Sequence, residues 1–454
     1  MLNLAPPKNQ NYCATVVELQ HFVPLAGCDN VQGTLIFGNQ VIVGKDAQPG
    51  DVGLYFPVEV ALSRKFLAAN NLYYKPEWGN VDPAKKGFFE EHGRVKCVKF
   101  RGHRSEGFFI PLSSLAYLEI GELSLLSVGQ EFDELAGHEI CRKYVPARNP
   151  GRLYSAPKAR GRAEDRIAAG QFNYHIDTGK LDRNIHKLQP TDIISITEKW
   201  HGTSAIFAHV LTNRPLKWYE RALAALGVRI ERTEYAHVWA SRRVIKGVGG
   251  QPREGVVHYY KPDIWGTVSE EVKDLIPKGY TLYGEIVGWT PDGAPIQAGY
   301  HYSCPTSTHK FVVYRITFTS VDGKVFDLSW PQIKEFCSRH GLETVRELFY
   351  GRATDFYLFD TVFATEPEMC ETHLEEWREG FLEILKRKYV NDSMRPFNNL
   401  EVPTEGVVLR IERSTEFEAY KKKATRFLEW ETKQLDAGVV DTETLEAENV
   451  LAEE

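Results

Sequence analysis

Apolar and polar residues alternate along 193–199 and again along 203–210, on either side of a short break at 200–202. Such alternation predicts buried strands, and the glycine within the break is typical of a tight bend between them. Lys199 stands at the mouth of that bend. An ammonium in this position is either a solvated group at the rim or a nucleophile that the fold partly desolvates.

Short strands also dominate the N-terminal part, residues 11–135. Closely spaced short strands favour a small β-barrel. The dipeptide Gly38-Asn39 predicts a hairpin turn between the second strand and the third. The six strands are predicted at 14–18, 34–37, 40–43, 52–56, 94–100 and 107–112.

The stretch 94–104 places basic residues around apolar ones. One of its faces is suited to phosphates while the other packs inward, which is typical of nucleic-acid-binding barrels. The alternative is a solvated strand edge that its charge protects from further pairing. The candidate nucleic-acid contacts are Lys96, Lys99, Arg101 and Arg104.

The rest of the chain mixes helices with apolar strands. Helical periodicity is found at 217–226, which we expect to cover a sheet, and at 330–350 and 366–389. Strands are predicted at 238–244, 279–289, 311–317 and 404–411. A second Lys-x-x-Gly, which begins at Lys246, lies in a glycine-rich patch without flanking alternation and is interpreted as a loop.

Two of these strands contain a glutamate that an apolar strand does not require. Burying an unpaired carboxylate is costly, so Glu285 needs a partner. It forms either a salt bridge with a neighbouring strand or a contact with a ligand hydroxyl or a metal-bound water. Glu405 leads the strand at 404–411 in the same way.

Basic residues accompany other predicted strands. The strand at 238–244 places Arg242 and Arg243 on opposite faces, and we expect Arg243 to face solvent. Lys421 and Lys423 lie two residues apart, so on a strand they share one face. Lys422 points the other way and is expected to be solvated.

The composition excludes several classes of protein. A chain of 454 residues has room for two or more domains, and no apolar run of membrane-spanning length or secretory signal is found. Seven widely spaced cysteines without Cys-x-x-Cys favour reduced, buried thiols in a cytoplasmic protein. The net charge is −6, but without the seven acidic residues of 436–454 there are 55 basic and 54 acidic residues. That near-neutral body suits an enzyme that grips a short stretch of nucleic-acid backbone.

The string Glu-Lys-Trp-His-Gly-Thr-Ser at 198–204 resembles the nucleotidyl-lysine motif of the covalent nucleotidyltransferases, which include ATP-dependent DNA ligases, RNA ligases and mRNA capping enzymes. Many members have aspartate where this chain has His201. The histidine variant is typical of RNA ligases that seal nicks in duplex RNA. The stretches 50–63 and 94–112 also resemble the N-terminal OB-fold module of one subgroup of those ligases.

The resemblance implies an α+β chain. An N-terminal OB-like β-barrel precedes a mixed α/β nucleotidyltransferase (ATP-grasp-like) ligase domain built on antiparallel sheets. The implied parts are an OB-fold nucleic-acid-binding module at 1–138, a basic linker and lead-in at 139–185, an adenylyltransferase domain at 186–435 and an acidic tail at 436–454.

The resemblance also implies a role for each matched residue. Lys199 is the nucleophile, Arg242 contacts ribose and phosphates, Glu285 holds a ribose hydroxyl or a metal water, and Tyr314 stacks on adenine. Glu405 binds the catalytic metal, and Lys421 and Lys423 touch the α-phosphate. The implied catalytic residues are Lys199, Lys421 and Lys423; the ATP contacts are Glu198, Lys199, Gly202, Arg242, Glu285, Tyr314, Lys421 and Lys423; and the metal ligands are Glu285 and Glu405.

The implied activity is that of an ATP-dependent RNA ligase with a covalent lysyl-AMP intermediate and Mg²⁺ or Mn²⁺. Its substrate is RNA with 5′-phosphate and 3′-hydroxyl ends, and we expect a monomer that does not engage membranes. An amine attacks phosphorus only when neutral, so burial and nearby cations are expected to lower the pKa of Lys199. The alternatives are a DNA ligase or GTP-using capping enzyme, and a catalytically inert RNA-binding protein with the same fold.

Overall fold

The computed structural model describes residues 4–119, 125–146, 166–253, 260, 262–358, 371–390, 402–413 and 416–439. No α-helix in this part of the chain is long and apolar enough to cross a membrane. The helices are α1 (Arg64–Ala69), α2 (Leu181–Asn184), α3 (Trp218–Ala225), α4 (Ile264–Val272), α5 (Trp330–His340), α6 (Ala353–Phe356), α7 (Glu371–Tyr389) and α8 (Thr425–Asp436).

The N-terminal part consists of short strands, as its pattern predicts. They are β1 (Ala14–Glu18), β2 (Phe22–Val23), β3 (Val31–Ile36), β4 (Asn39–Gly44), β5 (Val52–Phe56), β6 (Val60–Leu62), β7 (Val98–Phe100), β8 (His103–Ser105), β9 (Phe108–Pro111), β10 (Glu131–Phe132), β11 (Glu134–Leu135), β12 (His138–Glu139) and β13 (Cys141–Lys143).

These strands form several small sheets. One has the order β10-β1-β5-β9 and another the order β2-β3-β4, and β6 pairs with β13, β7 with β8 and β11 with β12. A closed barrel is therefore not confirmed among the described residues. The turn between β3 and β4 is Phe37-Gly38, one residue earlier than predicted, and both residues have positive φ, as a type I′ hairpin requires.

The C-terminal part is built on two larger sheets. Its strands are β14 (Gly179–Lys180), β15 (Ile193–Lys199), β16 (Thr203–Asn213), β17 (Thr233–Ala240), β18 (Ile245–Val248), β19 (Gln251–Pro252), β20 (Tyr280–Gly288), β21 (His309–Thr319), β22 (Val325–Asp327), β23 (Glu343–Thr344), β24 (Glu347–Arg352), β25 (Gly406–Glu412) and β26 (Phe417–Lys423).

A five-stranded sheet has the order β14-β26-β25-β15-β24, and an eight-stranded sheet has the order β19-β18-β17-β16-β20-β21-β22 with β23 beside β21. Most neighbours are antiparallel; the β14–β26 and β21–β23 pairs are parallel. The α+β class with antiparallel sheets is thus confirmed. The strands β15 and β16 do not pair with each other, because the bend between them passes the chain from the first sheet to the second.

Each sheet has its own apolar core. Helix α7 packs on the five-stranded sheet through Trp377, Phe381 and Leu385. Helices α4 and α5 pack on the eight-stranded sheet through residues such as Trp265 and Trp330, both fully buried. The described cysteines, 13, 28, 97, 141, 304 and 337, are free and buried.

Five predictions of local structure are wrong. Of the strand predicted at 94–100, only β7 forms a strand. Helix α3 has no buried residue, so it does not cover the sheet, and Trp218 is 82% exposed. Lys246 belongs to β18, is buried and lies 4.2 Å from the ring centre of Trp265. Strand β17 ends at Ala240, before the arginine pair. The helical prediction at 330–350 holds only for α5, because the residues after Gly341 form β23 and β24.

Candidate active site

Lys199 lies where the two sheets of the C-terminal part meet. It ends β15, and Thr203 begins β16 in the other sheet. Gly202 allows the bend to lie close to β20, because a Cβ at this position would be 2.3 Å from the carbonyl oxygen of Ile286. Its amide donates to Oε1 of Glu285 at 3.2 Å. The glycine therefore ties the lysine bend to β20, and we call this place the sheet junction.

Glu405 faces Lys199 across the junction. Its Oε1 lies 2.7 Å from the Nζ of Lys199, and its side chain is only 4% exposed. The other oxygen, Oε2, is buried without a hydrogen-bond partner among the described residues, and the Nδ1 of His201 lies 3.8 Å from it. A buried carboxylate oxygen left open in this way is a ready ligand for a hard cation.

A metal ion at this carboxylate would need further oxygen ligands. In the part of the chain that the structure describes, no group of three or more His, Cys, Asp or Glu residues forms a metal cluster. Mg²⁺ is usually bound through one or two carboxylates together with water and substrate phosphates. The residues at the junction fit that kind of site, with Glu405 as the first ligand.

The pKa of Lys199 is raised, which is the opposite of what its sequence context predicts. Burial lowers this pKa, but the carboxylates of Glu405 and Glu285 outweigh burial and the repulsion from Lys423. The two carboxylates act on this pKa more strongly than Lys423 does. The prediction that the surrounding residues lower the pKa of Lys199 is therefore wrong.

Lys421 differs from Lys199. Burial and the repulsion from Lys199, Arg242 and Lys423 lower its pKa to about 7. Lys423 shares the same face of β26, but its Nζ lies 2.7 and 2.9 Å from the two carboxylate oxygens of Glu431 in α8. Burial lowers the pKa of Lys423, but Glu431, together with Tyr12 and Glu405, outweighs burial, so that pKa is raised.

Lys422 is not solvated, so that prediction is wrong. It is 5% exposed, and its Nζ donates to Asn39 at 2.7 Å and to Asp182 at 2.8 Å. The physical reason is that the outer face of β26 is covered by the N-terminal part and the lead-in. Lys422 thus joins the two parts of the chain.

Arg242 and Arg243 lie in the turn between β17 and β18 and not on opposite faces of a strand. Both bind Asp177: Arg242 through two of its nitrogens, and Arg243 with a 2.8 Å contact. Burial raises the pKa of Asp177, but the two guanidinium groups overcome it and hold the pKa at about 2. Arg243 is exposed, as predicted, with 48% of its side chain accessible, although it also pairs with Asp177.

Tyr314 and Glu198 occupy different sides of the junction. The hydroxyl of Tyr314 lies 3.1 Å from Nδ1 of His175 and 3.5 Å from Oγ of Ser204. Glu198 precedes Lys199 on β15, so its side chain points to the other face. That buried carboxylate accepts from Nε1 of Trp200 at 2.8 Å and from Arg346 at 3.3 Å.

Comparison with protein-family models gives the decisive match. The model described as RNA ligase matches residues 192–427, which is more than half of the chain. The chain belongs to the RNA ligase family. The match spans every candidate residue from Glu198 to Lys423.

Solved structures share the fold of this family member. A Naegleria gruberi RNA ligase variant with ATP and Mn is 14% identical with a TM-score of 0.55, and the alignment covers 92% of this chain and 98% of that chain. A variant of the same ligase with AMP and Mn is 15% identical with a TM-score of 0.53 and the same coverage. Among curated protein sequences none matches significantly.

Two of the four candidate nucleic-acid contacts in this RNA ligase family member already pair with carboxylates. Lys96 lies 2.8 Å from Glu90 and 2.9 Å from Asp436, and Arg104 pairs with Glu429. Both Asp436 and Glu429 belong to α8. Arg101 donates to the carbonyl oxygen of Gly27 at 2.6 Å, and Lys99 lies on the exposed strand β7.

The sequence analysis missed several residues that surround the junction. Asp177, Lys180 and Asp182 lie in the lead-in. Glu431 lies on a helix beyond the last recognised motif. The sequence Asp-Thr-Gly-Lys-Leu-Asp-Arg at 177–183 could have indicated the first three residues, because its charged residues follow neither a helical nor a strand period.

Proposed function

We propose that this protein is an ATP-dependent RNA ligase that joins 3′-hydroxyl and 5′-phosphate ends through a lysyl-AMP intermediate. The observation that carries the proposal is the pair of Lys199 and Glu405 at 2.7 Å, with the second oxygen of Glu405 buried and open. A lysine beside a potential metal ligand, with Lys421, Lys423 and Arg242 around it, is suited to attack on a nucleotide phosphate. Membership of the RNA ligase family supports the same assignment.

In the first step Nζ of Lys199 attacks the α-phosphorus of ATP. A nitrogen–phosphorus bond forms, the bond to pyrophosphate breaks, and the amine loses its proton. AMP is next transferred from Lys199 to the 5′-phosphate of RNA. The 3′-hydroxyl then attacks that phosphate, AMP leaves, and a phosphodiester bond remains.

The residues at the junction have distinct tasks in this proposal. Lys421, Lys423 and Arg242 bind phosphate oxygens, Glu285 binds a ribose hydroxyl, and Tyr314 stacks on adenine. Glu198 and Gly202, which lie on either side of Lys199 in the chain, are further proposed ATP contacts. Glu405, with Glu285 as a further candidate, would hold Mg²⁺ or Mn²⁺. When bound, that cation supplies positive charge that lowers the pKa of Lys199 and neutralises the phosphates.

The substrate and the division of the chain are parts of the same proposal. The histidine of the lysine motif favours nicks in duplex RNA. We assign nucleic-acid binding to an OB-like module at 1–138, adenylyl transfer to 186–435, and retain 139–185 as linker and lead-in. Residues 147–165 of the linker and 440–454 of the acidic tail lie outside the described residues. We further propose a cytoplasmic monomer.

Incubation of the purified protein with α-labelled ATP or GTP and Mg²⁺ or Mn²⁺, followed by denaturing electrophoresis, tests the proposal. Label from ATP that is absent in Lys199→Ala supports it, and ligation of nicked RNA against nicked DNA then identifies the polymer. Label from GTP would favour capping chemistry. No label with either nucleotide from folded protein would favour an inert RNA-binding protein.

A further inference from the structure

Glu431 is a carboxylate at the sheet junction to which no step above gives a role. It lies on α8, and its two carboxylate oxygens lie 2.7 and 2.9 Å from the Nζ of Lys423. The two side chains are 19% and 22% exposed, so water screens this ion pair only partly. Two close contacts from one carboxylate fix both the position and the charge of the ammonium.

Helix α8 is held rigidly on the junction. The amide of Ala424, just before the helix, donates to the carbonyl oxygen of Glu405 at 2.9 Å. Phe427 is fully buried, and its ring lies edge-on to that of His201 at 5.1 Å. Glu431 follows Phe427 by four residues, so the two share one face of the helix. The packing of Phe427 therefore orients the helix so that the side chain of Glu431 reaches Lys423.

The other carboxylates of α8 serve a different purpose. Glu429 pairs with Arg104, and Asp436 lies 3.1 Å from Arg94 and 2.9 Å from Lys96. All three of these cations belong to the N-terminal part. Among the described ion pairs of α8, that of Glu431 is therefore formed with a lysine of the sheet junction.

Lys423 has several cations near it. Without a carboxylate, a lysine in such a place loses its charge or turns away from its neighbours. Lys421 illustrates the first outcome, because burial and surrounding cations lower its pKa to about 7. The charged and titratable groups that interact with Lys423 are Tyr12, Glu59, Lys180, Lys199, Glu405, Lys421 and Glu431.

We propose that Glu431 is a positioning residue for nucleotidyl transfer, which holds the ammonium of Lys423 charged and directed at the α-phosphate of ATP. This inference rests on the proposed function and adds a residue to its machinery. Glu431 does not touch the nucleotide in this scheme and acts through Lys423.

Single-turnover formation of the enzyme–AMP adduct in Glu431→Gln tests the inference. Loss of a preorganised donor at a reacting centre costs about 10²–10³ in kcat; because Lys423 is retained but misplaced, we expect a fall of about 10-fold. Glu431→Asp keeps the charge and should recover part of the rate. The matched control is Glu429→Gln on the same helix, which should keep the wild-type kcat and KM for ATP.

A double-mutant cycle with Lys423→Ala separates positioning from general damage to the fold. If Glu431 acts through Lys423, adding Glu431→Gln to Lys423→Ala causes no further loss of rate. Wild-type kcat and KM in Glu431→Gln, or additive losses in the cycle, would overturn the inference. If Glu431→Gln does not fold, Glu431→Asp takes its place in the cycle. Failure of the wild type to form an adduct would instead reject the proposed function.

Discussion

The sheet junction and the basic strand of the N-terminal part both contain several cations, but those cations have different partners. At the junction, Lys421 is crowded by Lys199 and Arg242, and its pKa falls to about 7. In the N-terminal part, Lys96 and Arg104 are each paired with a carboxylate of α8. The first set is arranged to receive an anion, whereas the second holds two parts of the chain together. The density of basic residues in a sequence does not distinguish these roles; their partners do.

Removing the carboxylate that faces Lys199 should give the largest effect on the junction. Glu405→Gln keeps the shape of the side chain but loses the charge that a cation would bind. We expect adduct formation to fall by about 10²–10³, the size of a lost electrostatic contribution in an active site. Rapid-quench measurement of labelled adduct at saturating Mg²⁺ checks this value.

The melting temperature of Glu405→Gln is the control for that experiment. The substitution removes the ion pair with Lys199, whose side chain is 26% exposed, but keeps the shape of the buried side chain. We therefore expect a lower melting temperature without unfolding of the protein. A variant with normal adduct formation and a lower melting temperature would show that Glu405 has only a structural role.

Lys422 offers the opposite case, in which stability changes and chemistry does not. Lys422→Ala leaves Asp182 buried without its cation, and breaking a buried ion pair in this way costs about 3–5 kcal/mol. Urea unfolding should therefore show a large loss of stability. Adduct formation per folded molecule should remain near that of the wild type.

Lys433→Ala, on the last turn of α8, is the matched control for Lys422→Ala. A surface substitution of this kind usually changes stability by less than about 0.5 kcal/mol. If Lys422→Ala were as mild as Lys433→Ala, the solvated position expected from the sequence would be correct after all.

The strands, the sheet junction and Lys422 differ in how well the sequence predicts them. Runs of apolar residues, alternating in β15 and nearly continuous in the others, located β1, β5, β15, β20 and β21, because these strands are buried along most of their length. The resemblance to the nucleotidyltransferases implied that Lys199, Glu405, Lys421 and Lys423 share one site, and the structure places them together at the junction. The burial of Lys422 and the docking of α8 could not be predicted, because they depend on how the N-terminal part covers β26. Such contacts join residues more than 200 positions apart and leave no local period.

The pH dependence of stability provides a smaller, more specific test of the junction. The pKa of Lys421 is about 7 in the folded protein, below its ordinary value. Below pH 7 the folded state must hold this unfavourable charge. As pH rises from 7 towards 10.5 the unfolded state binds more protons than the folded state, so stability rises. Lys421→Met should thus stabilise the protein at pH 6, by an amount on the order of 1 kcal/mol, and less at pH 9.

Thermal unfolding of Lys421→Met and the wild type at both pH values checks this expectation. Lys433→Met is the control because it removes a charge of the same sign from the far end of α8. An equal effect of Lys421→Met at pH 6 and pH 9 would contradict a depressed pKa. Added pyrophosphate should stabilise the wild type more than Lys421→Met, since the anion favours the charged lysine.

The smallest expected effect concerns the N-terminal strand, where the four candidate RNA contacts divide into two pairs. Lys99 lies on the exposed strand β7 and Arg101 donates to a backbone carbonyl oxygen, whereas Lys96 and Arg104 pair with carboxylates of α8. Lys99→Ala should reduce the salt dependence of duplex RNA binding by about one unit of slope per lost phosphate contact. Lys96→Ala should leave that slope unchanged and lower the melting temperature slightly, because a partly exposed ion pair contributes about 0–1 kcal/mol.

Equal slopes for the wild type, Lys99→Ala and Lys96→Ala would mean that β7 does not contact RNA. A reduced slope in Lys96→Ala would mean that RNA displaces α8 from this strand. The basic residues that pair with α8 would then also bind RNA.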